Sequence, residues 1–399
     1  MIDRNSLASL LFELRWTGKE AQHRETFLAP RANFWRDLFP ERLTQTLVGK
    51  SEGDCIELTF PPGEAVPLRR NDYILAMQWS EFRGGYGSPV ARPRFGRFYP
   101  WGLLKNLAGI FPDDLRPFRV SGTGADGFIA DLNHPLSGYS LELSVTVQET
   151  QVQKAERGGR VIDWMSEILD QGPGMQARCD GKPTDFNEPG AYQRQDDSED
   201  TLFYTKPRLI GHIDRQANSM LENIYGDILP ECGRVLDIMS SVESHLPPGR
   251  TWHVTGLGMN REEMAGNAAL HHFVVHDLNA HPALPLPDAS FASAICSLSV
   301  EYLIDPVRVF REAARILVPG APFAVSFSNR WFPPKTTMLW PSLSEFERVG
   351  LVLDYFIRSD CFRDLRTFSA RNWPRPSDDS HYPQQRTSDP LYVVWGYRI

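Results

Sequence analysis

Apolar runs of strand length alternate with amphipathic stretches of helical period between Gly233 and Asn329, in the order that builds a parallel sheet. The run GRVLDIMSS (Gly233–Ser241) predicts a buried strand ending at Asp237, and WHVTGLGMN (Trp252–Asn260) a second one closing on Gly-x-Gly. SAICSLSVEYL adds a strand ending at Ser297-Leu298-Ser299, PVRVFREAARILVPG (Pro306–Gly320) a helix, and APFAVSFSN (Ala321–Asn329) a further strand. A loop and helix then lead into a predicted strand VLDYFIRS (Val352–Ser359). YVVWGYR near the C-terminus predicts the last strand, after a polar, proline-rich loop.

The pattern differs upstream. Residues 1–150 are β-rich, with SLLFELRWTG, CIELTFPPG, GFIADLN and YSLELSVTVQE alternating or running apolar between Gly, Pro and Asn. Residues 151–230 read as a connector with two helices, Glu156–Asp170 and Lys206–Leu229, the second opened by Pro207. Three regions follow: 1–150, 151–230 and 231–399.

Composition narrows the classes. With 399 residues the chain is too long for one ordinary core, and 41% hydrophobic with 23% charged residues suits a soluble globular protein. No apolar run reaches the roughly eighteen residues of a membrane span, and the N-terminus lacks the basic start of a secretory signal. A net charge of −8 argues against nucleic acid as partner, and the arginines of RPRFGRFYPWG (Arg92–Gly102) read as a solvated loop. Five scattered cysteines without C-x-x-C, and histidines without ligand partners at metal spacing, indicate a cytoplasmic protein with no metal.

"HDLN…LPLPDASFASAICSLSVEYLIDPVRVFREAARILVPGAPFAVSFSN" resembles the class I S-adenosylmethionine-dependent methyltransferases, especially their small-molecule branch. The resemblance implies a Rossmann-like α/β sheet with an antiparallel terminal hairpin, and S-adenosylmethionine as cofactor. It implies that Asp237, Met239, Ser240 and Ser241 hold the cofactor's amino-acid end, although the usual glycines of this loop are missing. Where the family places an acid at the end of its second strand, this chain has Gly256, Gly258, Met259 and Asn260, so Asn260 or Glu262 takes the ribose role and Met259 packs on adenine. Asp277 and Leu278 match the positions that read the adenine amino group, and Ser297 lies beneath the transferable methyl. Tyr204, Arg208 and His212, spaced as one helical stripe, would face the cofactor, with Arg208 on its carboxylate. Candidate proton acceptors are His245, Glu301, Tyr302 and His212.

A second resemblance covers both ends of residues 1–150. DLNHPLSGYSLELSVTVQE (Asp131–Glu149) and LFPERLTQTLVGKSEGDCIELTFPP (Leu38–Pro62) are similar to SlyD-type FKBP peptidyl-prolyl isomerases, with an insertion where those carry their flap. This implies an α+β FKBP-like domain. The acidic pocket residue is missing from Gly18–Pro30 and the tyrosine from Pro61–Val66, the nearest Tyr-Gly being Tyr86-Gly87, so little isomerase activity is expected. The combined expectation is a methyltransferase acting on a small molecule. The alternatives are a protein methyltransferase whose FKBP-like domain holds the substrate, and a non-catalytic folding helper.

Overall fold

The structure is a computed structural model that describes residues 1–84, 92–152 and 158–399. Tyr86, Gly87 and Glu156 lie outside the described residues. The chain forms two compact units, Met1–Glu188 with Ser342–Gly350, and Pro189–Pro341 with Leu351–Ile399. The division falls within the 151–230 stretch rather than at either end of it.

The first unit opens with a hairpin of β1 (Ser6–Thr17) and β2 (Gln22–Asn33), followed by α1 (Glu41–Leu47) and β3 (Cys55–Phe60). An inserted segment contributes β4 (Ile74–Gln78), β5 (Phe98–Pro100), β6 (Pro117–Thr123) and β7 (Gly127–Asp131), before β8 (Leu141–Val152) and α2 (Trp164–Leu169). Strands β2-β1-β8-β3 make one antiparallel array, and β4-β7-β6-β5 a separate sheet. Period-2 alternation explains β1: Ala8, Leu10, Phe12, Leu14 and Trp16 all turn to the core that Leu43 and Leu47 of α1 also enter. The inserted sheet has its own aromatic core, where Phe82 meets Tyr99 and Phe128 edge to face.

Asn133 ties the ends of the insert together. Its side chain accepts from Arg70 N at 2.8 Å and donates to Arg70 O at 3.0 Å. Of the three arginines of Arg92–Gly102, Arg92 is exposed as the sequence suggested, but Arg94 and Arg97 are not free in solvent. Arg97 is 1% exposed and donates to Glu347 Oε1 and Ser342 O, both at 3.0 Å, while Arg94 pairs with Asp185 at 2.9 Å. All of these partners belong to the first unit. Helix α2 is shorter than the expected Glu156–Asp170. Gly159 takes a φ of +123°, a conformation that cannot continue a helix, and Asp163 caps the helix that begins after it.

The second unit runs α3 (Asp200–Tyr204), α4 (Arg215–Ile228), β9 (Cys232–Ile238), β10 (Thr251–Gly258), α5 (Arg261–Gly266), β11 (His272–Val275) and β12 (Ser293–Ser297). It continues with α6 (Pro306–Ile316), β13 (Pro322–Phe327), α7 (Glu345–Ser359, whose first turns count with the first unit), β14 (Phe362–Arg371) and β15 (Leu391–Arg398). The strand order is β11-β10-β9-β12-β13-β15-β14; the first five are parallel and β15 is antiparallel to both neighbours. The order reverses between β9 and β12. That opens a crevice at the carboxyl ends of the strands.

Two expectations are corrected here, and one crossover departs from the usual form. The helix expected over Lys206–Leu229 starts at Arg215, because buried Asp214 caps it, accepting from Gln216 N and Ala217 N at 2.9 and 3.2 Å. Tyr204, Arg208 and His212 therefore do not share a helical stripe. Val352–Ser359 is helix rather than strand: Val352, Leu353, Tyr355 and Phe356 are all buried, so the apolar residues carry no single face to read. Finally, no helix follows β9. Residues 239–250 cross to β10 as a loop.

Candidate functional site

The crevice holds a cavity of about 760 Å³, open space at its mouth included. Its floor is made by the ends of β9, β10, β11 and β12, and its cover by α3 and the irregular chain up to His212.

The end of β9 turns sharply at Met239, a non-glycine residue at φ +59°. This left-handed conformation is where a glycine would ordinarily sit, and holding methionine there costs about 1–3 kcal/mol. The turn lays the next residue across β10, with Ser240 N donating to Leu257 O at 2.9 Å. Gly258 has no room for a side chain, since a Cβ would lie 2.1 Å from Ser240 O; at Gly256 it would meet Leu270 at 2.6 Å. The Gly-x-Gly of β10 thus exists for close approach of the β9 loop. Gly258 and Met259 line the cavity, but Gly256 lies beneath it.

Asp237 also sits behind the cavity wall, 2% exposed. One of its oxygens, Oδ2, accepts from Ser240 Oγ at 2.6 Å and Ser244 Oγ at 2.7 Å. Burial outweighs these bonds and pushes its carboxyl up to about 6. Ser240 and Ser241 face the cavity directly.

Asn260 lines the cavity, yet its side chain is committed to structure. Oδ1 caps α5, accepting from Glu262 N and Glu263 N, and Nδ2 donates to Tyr204 O at 2.8 Å. The ribose role expected of it has no atom to spare. Glu263, three residues on, is the group sequence reasoning missed. It is 7% exposed, and its carboxylate accepts from Arg208 N and Ser241 Oγ, both at 2.7 Å. An N-cap followed at the third position by Glu is a recognisable spacing, but here the acid turns to the cover instead of back to the cap.

Asp277 and Leu278 line the far end. Asp277 Oδ1 accepts from Asn279 N and Ala280 N at 2.9 and 3.1 Å, fixing the turn. Asn279, quoted in the sequence pattern without a role, donates to Asp200 Oδ2 at 2.8 Å and Tyr302 O at 2.9 Å. Asp200 in turn meets Arg194 and the fully buried Lys335, so α3 is anchored by a charge cluster.

The remaining wall is aromatic: Tyr204, Tyr302, Phe332 and the imidazole of His212, whose ring lies 6.0 Å from Phe332. The Arg208 guanidinium stacks over Phe203 at 4.2 Å and Phe332 at 5.0 Å, and pairs with no carboxylate among the described residues.

The four candidate proton acceptors separate. Burial draws the His212 imidazole below its ordinary value, so it faces the cavity neutral. Tyr302 lines the cavity with its phenol raised well above normal by burial, and its oxygen accepts from Phe332 N at 2.8 Å. Glu301 is buried outside the cavity lining, and His245 lines a different cavity. Ser297 is likewise set back, its hydroxyl 2.8 Å from Tyr225 OH, while the next residue, Leu298, reaches the cavity through a turn at φ +52°.

Residues 245–325 match a family described as a methyltransferase domain. The chain carries a methyltransferase domain. Its cofactor is S-adenosylmethionine, and the lining suits that ligand: small and hydroxylated residues at the β9 end and an Asp-Leu-Asn turn at the β11 end. Among solved structures, similarity is found to an S-adenosylmethionine-dependent methyltransferase of Thermotoga maritima, described as a possible histamine N-methyltransferase. It is 18% identical, covering 46% of this chain and 91% of that one, with a TM-score of 0.35. A methyltransferase of Mesorhizobium loti is 20% identical over 44% and 96%, TM-score 0.30, and one of Aquifex aeolicus 16% identical over 50% and 97%, TM-score 0.32. No curated protein matches the sequence. Among the described residues no helix of this methyltransferase-domain protein is long and apolar enough to cross a membrane.

Proposed function

We propose that the cavity transfers a methyl group from S-adenosylmethionine to a small-molecule acceptor. The observation that carries this is the division of one cavity into two halves. A polar half follows the strand ends from Met239 to Asn279, and an aromatic half is formed by Tyr204, His212, Tyr302 and Phe332. When bound, the cofactor supplies a sulfonium methyl with a neutral leaving group, so the protein's main task is alignment. Ser240 and Ser241 hold the amino-acid end, Arg208 pairs with its carboxylate, and Asp277 and Leu278 receive the adenine edge. Asp237 acts behind them as a positioning residue, fixing the Ser240 hydroxyl. The aromatic half holds a flat or apolar acceptor, and neutral His212 takes the proton that an O–H or N–H acceptor releases.

Calorimetry of the full chain with S-adenosylmethionine and its demethylated product tests this reading. Both are expected to bind, and Asp277→Ala to weaken them by about 1–3 kcal/mol through loss of an acceptor for the adenine amino group. Absence of heat and of thermal shift with both compounds would remove the enzyme reading.

We further propose an FKBP-like domain within residues 1–150, followed by a connector to 230 and the methyltransferase domain from 231. The β1–β2 hairpin, the short α1, and an inserted sheet closed by Asn133 at the NHPL turn support it. The same region is expected to twist prolyl bonds poorly. In a protease-coupled proline-peptide assay, the full chain should add almost nothing to the spontaneous rate; robust turnover would make a folding helper the better reading.

A further inference from the structure

The loop over residues 239–250 stands where a crossover between parallel strands ordinarily carries a helix, and beside it lies a second cavity of about 1010 Å³, open to solvent. No residue lines both cavities: Met239, Ser240 and Ser241 face the first, and the loop from Val242 to Leu246 faces the second.

At its base sits His245, 3% exposed and held at φ +56°. Its Nδ1 lies 2.5 Å from Asn218 Oδ1, and Asn218 Nδ2 donates to Glu222 Oε1 at 2.9 Å. That second bond fixes which end of the amide is oxygen, so Nδ1 must carry the proton and donate. Burial keeps the ring neutral, drawing its titration down to about 3. Nε2 therefore presents a lone pair, and no hydrogen bond to it is formed among the described residues. Glu243 lies 3.9 Å from Nδ1, half-buried, accepting from the Asn218 side chain, with its carboxyl raised by burial and then by Glu222. The rim is apolar: Leu209 and Ile210 are 68% and 61% exposed.

A buried acceptor, two acids on the cavity wall, Glu222 and Glu243, and an apolar rim together define one ligand chemistry. We propose that this cavity is a binding site for a primary alkylammonium, whose N–H donates to His245 Nε2, whose charge rests beside Glu243, and whose chain lies on Leu209 and Ile210. An alcohol would satisfy the imidazole but not the charge, and a carboxylate would be repelled by both acids. The site stands independently of methyl transfer.

The test titrates the full chain with n-hexylammonium, hexan-1-ol and hexanoate, following heat and the imidazole ¹⁵N signals. Hexylammonium is expected to bind at least about tenfold more tightly than either control and to move one Nε2 resonance, which His245→Gln removes. Glu243→Gln, a change at a half-exposed side chain that leaves the fold intact, should weaken hexylammonium about tenfold and leave hexanol unchanged. Equal binding of hexanoate, indifference to Glu243→Gln, no binding of hexylammonium, or its displacement by S-adenosylmethionine would each overturn the assignment.

Discussion

Asp237→Asn is expected to stabilise the protein at neutral pH, by up to about 3 kcal/mol. Burial carries this carboxyl from its ordinary 3.8 to about 6 in the folded state, and each pH unit of that displacement corresponds to about 1.4 kcal/mol. Because the folded value lies above the unfolded one, the folded state holds the proton more tightly. The contribution is favourable at low pH and is lost as pH rises through about 6. Above that, the wild type carries a buried charge at a cost. Both serine hydroxyls donate to a single oxygen, so an amide oxygen can receive them in its place. Denaturant unfolding at pH 4 and pH 8 checks this: the variant's advantage should be large at pH 8 and nearly vanish at pH 4. Cofactor affinity should fall about tenfold at the same time, since hydrogen bonds to a charged group are worth about 1.5–3 kcal/mol. A variant less stable than wild type at pH 8 would show that the carboxylate is better accommodated than its burial indicates.

Gly258→Ala is expected to do the opposite, costing about 1–3 kcal/mol of stability and most of the cofactor affinity. The added Cβ would stand 2.1 Å from Ser240 O, a backbone atom with no rotamer to escape into, so the whole β9 loop must shift. Gly266→Ala is the matched control, because nothing lies within 4 Å of its Cβ at the end of α5. Thermal unfolding and calorimetry of the two variants side by side distinguish crowding from a general effect of replacing glycine. Equal behaviour would mean that the β9 loop is not held against β10.

The strands β9, β10, β12 and β13 were legible because each is short, apolar and punctuated, and α6 because Asp305 and Pro306 supply a cap and a preset first turn. Two elements misled for physical reasons. Pro207 offers a start signal that Asp214 overrides, through a buried carboxylate whose further partners include Ser388, 174 residues away. Helix α7 is apolar on too many sides for a period to show, so its aromatic and β-branched residues imitate a strand. In the site, Met239, Ser240, Ser241, Asp277 and Leu278 line the cavity as their positions suggested, Asp237, Gly256 and Ser297 stand behind it, and Glu263 and Asn279 were not readable. Their function lies in bonds to Arg208 and Asp200, which only the folded cover brings near. Asn260 shows the converse: the right residue at the right place, already used by α5 and Tyr204.

The buried pair of Arg97 and Glu347 also sets an order of events during synthesis. The two residues are 250 positions apart, yet both complete the first unit. At about 5–20 residues per second, the ribosome delivers Glu347 about 10–50 s after Arg97. Throughout that interval the guanidinium lacks its hydrogen-bonded carboxylate, and closing the unit over it would cost up to about 3–5 kcal/mol. The N-terminal unit, first to emerge, is therefore among the last to be finished, and a nascent chain arrested before Glu347 holds it open.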